Sequence, residues 1–254
     1  MSDNYSAVRE HWRQRFLQMD HESLAERFHL KIDAQRLYLI YFSHPYAIDR
    51  CTGIITRLDK PDAPISFSLE MNFFNMFHYA VAHPIPSGKL VPFRGVKRVY
   101  PFEAAYMKTI IHPFEAKFAG RIDDLRAALK ALRAHPIPQG DAGGELEIYP
   151  GLRLAVTFWD ADDEFPAQAN MLFDSNITDF VHEENVVTIA SDAVRFIEEA
   201  APGEERGVTL GESSLSGKRV FPQSPFRKKR SRGLDRNGLK TAENEQTLNK
   251  KRRP

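Results

Sequence analysis

Cysteine is nearly absent from this 254-residue sequence, in which Cys51 is the only one. A single cysteine excludes an intrachain disulfide, so the sequence does not require an oxidising compartment. It also excludes an iron–sulfur cluster or a thiolate metal site built by this chain alone, because such sites need several cysteines.

Long apolar runs are missing as well. The longest, Leu37 to Phe42, is far shorter than the roughly 20 residues of a membrane-spanning helix. The first 16 residues, MSDNYSAVREHWRQRF, contain no apolar segment typical of a secretory signal. We therefore expect a cytoplasmic protein without a membrane span.

The motifs of several large enzyme classes are not found. The sequence has no Gly-rich phosphate loop, no serine nucleophile elbow and no dinucleotide-binding fingerprint. The segment that begins at His182 starts like a zinc-protease motif, but Val186 stands where the second histidine is needed. Whether the protein is an enzyme is left open by these observations, and no reaction is indicated.

Charge is present in abundance but is unevenly distributed. Residues 202–254 hold 14 Lys and Arg against 6 Asp and Glu, a net charge of +8, whereas the 21 basic and 28 acidic residues before them carry −7. The last segment is rich in Gly, Ser and Asn, and its apolar residues are scattered, so burial cannot offset the entropy cost of ordering it. We predict a disordered basic tail over residues 201–254.

The preceding residues show both helical and strand periodicity. Apolar residues recur every three or four positions over Ile122 to Ala134 and over Glu183 to Ala200, which predicts amphipathic helices. They alternate over Leu152 to Trp159, which predicts a half-buried strand. We expect Pro45 to end a strand and Pro113 to end or kink a helix. The pattern predicts one α+β domain over residues 5–200, with a mostly antiparallel sheet packed with helices.

The stretch from Trp159 to Asp174 is the candidate site. It places four acids directly after an apolar strand and continues into a second predicted strand that ends in an aspartate. Crowded carboxylates repel one another and need a cation, hydrogen-bond donors or water. The candidate ligand-binding residues are Asp160, Asp162, Asp163 and Asp174.

Three readings of this stretch are open. It is a solvated hairpin loop, a surface that binds a ligand or partner, or a site for a hard divalent ion such as Mg²⁺ or Ca²⁺ held by Asp160, Asp163 and Asp174. The third reading allows metal-assisted hydrolysis with Glu164 as general acid or base, if neighbouring aromatic residues partly desolvate it. The calcium-loop pattern itself is not met, since Phe165 occupies the glycine position.

The tail carries two basic clusters that could bind nucleic acid or another polyanion weakly and without sequence preference. No recognisable nucleic-acid-binding fold accompanies them, so a solvated tail is the alternative. The clusters consist of Arg227, Lys228, Lys229 and Arg230, and of Lys250, Lys251, Arg252 and Arg253.

The acidic stretch also resembles the DUF3786 family, a domain of unknown function found in bacteria and archaea. In that family an apolar strand leads to an acidic-Glu-Phe-Pro-Ala step and then to Leu-Phe-Asp, and this chain has both segments, at residues 163–167 and 172–174. The resemblance extends from about Glu22 to Ile197, which implies a single domain. It implies no activity, because the family has none assigned. Some similar proteins carry a cysteine-rich iron–sulfur segment that this sequence lacks.

We therefore expect a ligand- or partner-binding module centred on residues 160–174. A metal-dependent hydrolase that uses the same acids and a nucleic-acid-associated protein that acts through the tail are the alternatives.

Overall fold

The computed structural model describes residues 2–202 of the chain. The predicted tail lies almost wholly outside this range, and so do both of its basic clusters. Within the range the chain forms helices and two antiparallel sheets, which confirms the predicted α+β class. Among the helices of this described part, none is long and apolar enough to cross a membrane.

The nine strands fall into two sheets rather than one. The first has the order β1-β2-β3-β4 and consists of Lys31–Ile32, Arg36–Tyr41, His44–Asp49 and Ile55–Arg57. The second has the order β5-β9-β8-β7-β6. Its strands, in chain order, are β5 Leu90–Pro92, β6 His135–Pro136, β7 Ala142–Tyr149, β8 Leu152–Trp159 and β9 Gln168–Asp174.

The helices precede, separate and follow these strands. In chain order they are α1 Ser2–Leu17, α2 His21–Phe28, α3 Phe67–Tyr79, α4 Glu103–Tyr106, α5 His112–Phe118, α6 Ile122–Ala131, α7 Ile177–Phe180 and α8 Glu183–Ala200. Two short 3₁₀ turns cover Phe93–Gly95 and Tyr100–Phe102. The last helix has the predicted bounds, and its apolar stripe is buried.

The core forms where the apolar faces of these elements meet. Leu152, Leu154, Val156 and Phe158 alternate along β8 and are all fully buried, but Ala155 and Thr157 on the opposite face are buried as well, so the strand predicted to be half-buried is covered on both faces over most of its length. α3 contributes apolar side chains from nearly its whole circumference, so it lies centrally. One contiguous cluster of buried side chains includes residues of both sheets and of all the longer helices.

Pro45 does not end a strand. It lies in β3 opposite Ile40 of β2, and the chain reverses one step earlier, at Phe42 and Ser43, which have φ angles of +47° and +64°. Alternate residues of an antiparallel strand make no hydrogen bond to a given neighbour, so a proline fits there without breaking that ladder. The left-handed turn is stabilised from outside, because Phe42 is buried and its N–H donates to the Ile148 carbonyl of β7, at 3.1 Å.

Pro113 perturbs its helix, as expected, without ending it. The chain continues from α4 through a π-helical turn, Met107–Ile111, directly into α5. The His112 N–H donates to the Met107 carbonyl, five residues back. A proline lacks the N–H for a normal helical bond and crowds the preceding turn, and the wider π turn accommodates it.

Candidate functional site

The acidic loop connects two paired strands, as the sequence predicted. Trp159 at the end of β8 pairs with Gln168 at the start of β9, so residues 160–167 form the tip of a β-hairpin. We call residues 159–165 the acidic–aromatic loop. The sheet register fixes both of its ends.

Asp160 uses its carboxylate and its backbone to hold this loop against the rest of the protein. Its Oδ1 atom accepts hydrogen bonds from the backbone N–H groups of Gly120, at 2.7 Å, and Ala161, at 2.8 Å. Its own N–H donates to Oδ2 of Asp141 at 2.8 Å. The carboxylate is therefore hydrogen-bonded to the backbone on both sides of the contact, and Asp160 anchors the loop.

Asp162 closes a tight turn at the tip of the loop. Its Oδ1 atom accepts from the N–H groups of Glu164, at 2.9 Å, and Phe165, at 2.7 Å, while its N–H donates to the Phe165 carbonyl at 3.0 Å. These backbone donors lower the pKa of Asp162. The turn is of the Asx type and gives residues 162–165 a defined shape.

The carboxylates of the remaining two acids of the loop, Asp163 and Glu164, take no part in its internal hydrogen bonding. Within the described range, the side chains of Asp163 and Glu164 have no hydrogen-bond or ion-pair partner, and both residues are exposed. The exposed fraction is 43% for Trp159 and 59% for Phe165. Glu164 therefore lacks the apolar surroundings that a general acid or base was expected to need.

Asp174 is at the opposite end of β9 from this loop. It is 1% exposed, and its carboxylate accepts from the N–H groups of Ser87, Gly88 and Asn176 and from the Ser87 hydroxyl, at 2.8–3.0 Å. Burial opposes ionisation, but these four donors together lower the pKa of Asp174. Asp174 fixes the loop of residues 84–89 to the sheet.

The three predicted metal ligands are consequently not brought together. Six residue steps along β9 separate Asp174 from Gln168, a distance of about 20 Å at roughly 3.3 Å per residue. The Asp160 carboxylate already accepts hydrogen bonds from backbone N–H groups. Of the three predicted ligands, only Asp163 has a carboxylate without a partner among the described residues. Across residues 2–202, no group of three or more His, Cys, Asp or Glu side chains could hold a metal ion. The end of the second predicted strand, where Asp174 lies, therefore does not neighbour the loop.

A buried polar network that the sequence analysis missed connects the two halves of the core. Asp192 on α8 is 1% exposed, and its Oδ2 atom accepts from the Tyr41 hydroxyl and from Nδ2 of Asn72, both at 2.9 Å. Its Oδ1 atom accepts from Arg195 at 3.2 Å. Burial raises the pKa of Asp192, while Arg195 and the hydrogen bonds act against that rise. Asn185 extends the network by donating to Oδ1 of Asn72 at 2.9 Å.

This network joins β2, α3 and α8, because buried polar side chains of these three elements form hydrogen bonds with one another. The sequence carried a signal for it: Asn185 and Asp192 stand on the same helical face as Ile189 and Phe196, where apolar residues are expected. Because the network is enclosed by packed side chains and its Asp192 carboxylate is fully partnered, it supports structure rather than chemistry on a ligand.

A surface groove of about 670 Å³ lies between the tip of the β2–β3 hairpin and the outer face of the second sheet. Arg133, His135 and Arg153 line it together with Glu145 and Glu147. Arg153 pairs with Glu145 at 3.1 Å, and Glu147 accepts from the Gly151 N–H at 2.7 Å. The basic and acidic groups nearly balance, so the groove indicates no ligand class.

These features define an α+β protein with two antiparallel sheets, a buried polar network and a rigid acidic–aromatic hairpin loop. A family profile described as a domain of unknown function, DUF3786, matches residues 20–196, well over half of the chain. The protein belongs to this family, which confirms the resemblance noted in the sequence. Comparisons with curated proteins and with solved structures found no match.

Proposed function

We propose that the protein is a non-catalytic binding module whose acidic–aromatic loop docks a Lys- or Arg-rich segment of a protein partner. The proposal is carried by the presence of four exposed side chains on one hairpin tip. Two of them are aromatic rings, Trp159 and Phe165, and two are carboxylates without a partner among the described residues, Asp163 and Glu164. The rings offer apolar area for an anchor residue, and the carboxylates complement basic side chains.

The composition of the loop supports this role. Aromatic residues carry a large share of the binding energy in protein interfaces, because they bury much surface while few rotatable bonds are fixed. A guanidinium group can stack on an aromatic face and bind a carboxylate at the same time. Trp159, Phe165 and Glu164 offer both interactions within seven residues.

The internal bonding of the loop also supports it. A loop that already has its bound shape loses less conformational entropy when a partner binds. The Asp162 turn and the Asp160 contact to Gly120 hold the tip on both sides. The two acids that make these contacts contribute to binding by shaping the loop, and Asp163 and Glu164 remain for the partner.

Selection of peptides tests the proposal. Random dodecapeptides displayed on phage are selected on the full-length chain and counter-selected on Phe165→Ala. We expect enriched sequences to contain Arg or Lys next to an apolar residue. Their synthetic peptides should bind wild type in a salt-dependent manner and lose about tenfold in affinity, or roughly 1.4 kcal/mol, on Phe165→Ala and on the double variant Asp163→Asn, Glu164→Gln.

Asp62→Asn, Asp123→Asn is the matched control, because it removes two exposed charges elsewhere and should leave peptide binding unchanged. Circular dichroism spectra that match wild type establish that the loop variants are folded. Peptides that bind the loop variants as tightly as they bind wild type would refute the proposal.

The two alternatives have different support. A metal-assisted hydrolase would have to assemble its ligands from acids other than Asp160, Asp163 and Asp174 as a set, since these are far apart or already paired. Polyanion binding by the basic tail is supported by its net charge of +8. We keep it as a second candidate contact of a cytoplasmic protein, separate from the loop.

A further inference from the structure

A basic segment stands out on the acidic body of the protein. Residues 71–102 contain no Asp or Glu, although the part of the chain before the tail carries a net charge of −7. Within this stretch lie Arg94, Lys97 and Arg98, all of them exposed. We call residues 93–100 the basic loop.

Apolar anchors alternate with these cations and hold the loop in place. Phe93, Val96 and Val99 are buried, and the Phe93 ring stacks on Tyr106 with centroids 4.1 Å apart. The Val96 N–H donates to the Phe93 carbonyl at 3.0 Å. Because every third residue points inward, the residues between them are presented to solvent from a fixed backbone.

Two of the cations make no hydrogen bond or ion pair within the described part of the protein. Arg94 pairs with Glu103, but in the part of the chain that the structure describes neither Lys97 nor Arg98 has a hydrogen-bond or ion-pair partner. Arg98 has a φ of +64°, a left-handed conformation that is uncommon for residues other than glycine. Two residues further along the chain, Tyr100 is 77% exposed, more than any other large apolar or aromatic side chain of the described residues.

We propose that the basic loop binds single-stranded nucleic acid, with Lys97 and Arg98 on phosphates and Tyr100 stacked on a base. Positive charge beside an exposed aromatic ring is the combination by which single strands are bound without sequence preference. This surface does not depend on the acidic–aromatic loop or on the tail.

The experiment uses the full-length chain with its tail clusters neutralised, so that binding by the tail does not obscure the loop. This background replaces the eight basic residues of the two tail clusters by Gln. Affinity for a fluorescein-labelled 20-nucleotide thymidine strand is measured by fluorescence anisotropy between 25 and 200 mM salt, concentrations we choose for the assay. Three further variants are made in the same background. They are Lys97→Glu with Arg98→Glu, Tyr100→Ala, and the charge-matched control Lys117→Glu with Lys130→Glu, two exposed lysines on α5 and α6.

We expect the loop charge reversal to weaken binding at least tenfold relative to the control pair. It should also lower the slope of log affinity against log salt by about 1.4, since each phosphate contact on a single strand contributes about 0.7. Tyr100→Ala should weaken binding of the single strand about fivefold or more and leave binding of a 20-base-pair duplex unchanged.

Two results would overturn the inference. One is a loop charge reversal whose affinity for the strand is within twofold of the control pair. The other is binding of polyglutamate, or of phosphatidylserine vesicles, that equals binding of the strand and depends on the same residues, which would make the loop a general anion-binding surface. Thermal melts of each variant exclude unfolding as the cause of any loss.

Discussion

The Tyr41 hydroxyl donates to the carboxylate of Asp192 across 151 residues of sequence, and both side chains are buried. Asn72 donates to the same oxygen, so one carboxylate accepts hydrogen bonds both from a strand residue and from a residue of the central helix. A buried carboxylate is costly unless it is hydrogen-bonded and paired, and this one has three donors. The last helix is thereby positioned by polar as well as apolar contacts.

The first prediction concerns the loss of that carboxylate. Asp192→Ala leaves the Tyr41 hydroxyl without an acceptor in the core and leaves the Asn72 amide only its longer 3.3 Å bond to the Tyr41 oxygen, and an unsatisfied buried group costs roughly 1–3 kcal/mol. We expect the free energy of unfolding in urea to fall by about 2 kcal/mol or more. Asp62→Ala, at an exposed position, is the control. A loss no greater than that of the control would mean that the network contributes no stability.

The second prediction concerns the pH dependence of Asp192. Its pKa is raised on folding, so the native state binds the proton more tightly than the unfolded state does. Its effect on stability is therefore most favourable below about pH 4 and declines as pH rises through the folded-state pKa. Carboxyl ¹³C NMR should show Asp192 titrating above the ordinary aspartate value of about 3.9. A titration below that value would contradict the assignment.

Asp174 should show the opposite pH dependence. Its pKa is lowered on folding, so it contributes stability that is present above about pH 4 and lost as pH falls through its folded-state pKa. We expect Asp174→Asn to reduce the free energy of unfolding by about 1–3 kcal/mol at pH 7, because Asn cannot accept at both of its terminal atoms. The difference from wild type should shrink at pH 3. An equal difference at both pH values would show that the carboxylate charge is unimportant.

A fourth prediction compares two glycines with similar backbones. Gly140 and Gly120 have φ angles of +79° and +70°. A Cβ atom at Gly140 would lie 2.5 Å from the Phe158 carbonyl oxygen, whereas at Gly120 nothing lies within 4 Å. Both Ala variants bear the left-handed backbone cost of about 1–2 kcal/mol, and we expect Gly140→Ala to lose a further 1–3, roughly, from the clash. Equal losses in urea unfolding would contradict the close packing of this turn on β8.

The fifth prediction concerns Glu70, a buried carboxylate of α3 that pairs with Arg9 and Arg13 of α1 at 2.9 and 2.8 Å. Replacing both arginines by Met leaves the buried charge of Glu70 unpaired. This change should lower the free energy of unfolding by about 3–5 kcal/mol. Glu70→Gln leaves two arginine side chains that are 36% and 28% exposed and so partly hydrated, and should cost about 1 kcal/mol. Replacing all three residues by Met should recover most of the loss. Equal costs for the two partial variants would show that desolvation of Glu70 is small.

Local patterns predicted the elements well because periodicity and capping act within a few residues. The bounds of α8 and the burial of the alternate apolar residues of β8 agree with the sequence. Pro45 and the two-sheet arrangement did not follow, because strand register and sheet membership depend on partners far away in sequence. Pro45 has no N–H, so it is tolerated only because the neighbouring strand β2 needs no donor at that position, and no local signal contains that information.

The candidate site was only partly predictable for the same reason. The sequence identified the hairpin and its acids, but it could not show which acids are used by the backbone. Asp160 and Asp162 are bound to N–H groups, and Asp174 is an entire strand away. The Asp192 network was in principle visible as polar residues on an apolar helical face, whereas its partners Tyr41 and Asn72 were not.

The position of α8 in the sequence affects the order in which the parts of the core can form during synthesis. Tyr41, Asn72 and Asp192 satisfy one another, but Asp192 belongs to α8, the last element within residues 2–202. While the chain is being synthesised, the first sheet and the central helix exist before their buried acceptor does. Contacts so distant in sequence slow folding, since a long loop must close before they form. The native core is therefore completed late in synthesis, and a chain truncated before α8 should be retained by chaperones or degraded.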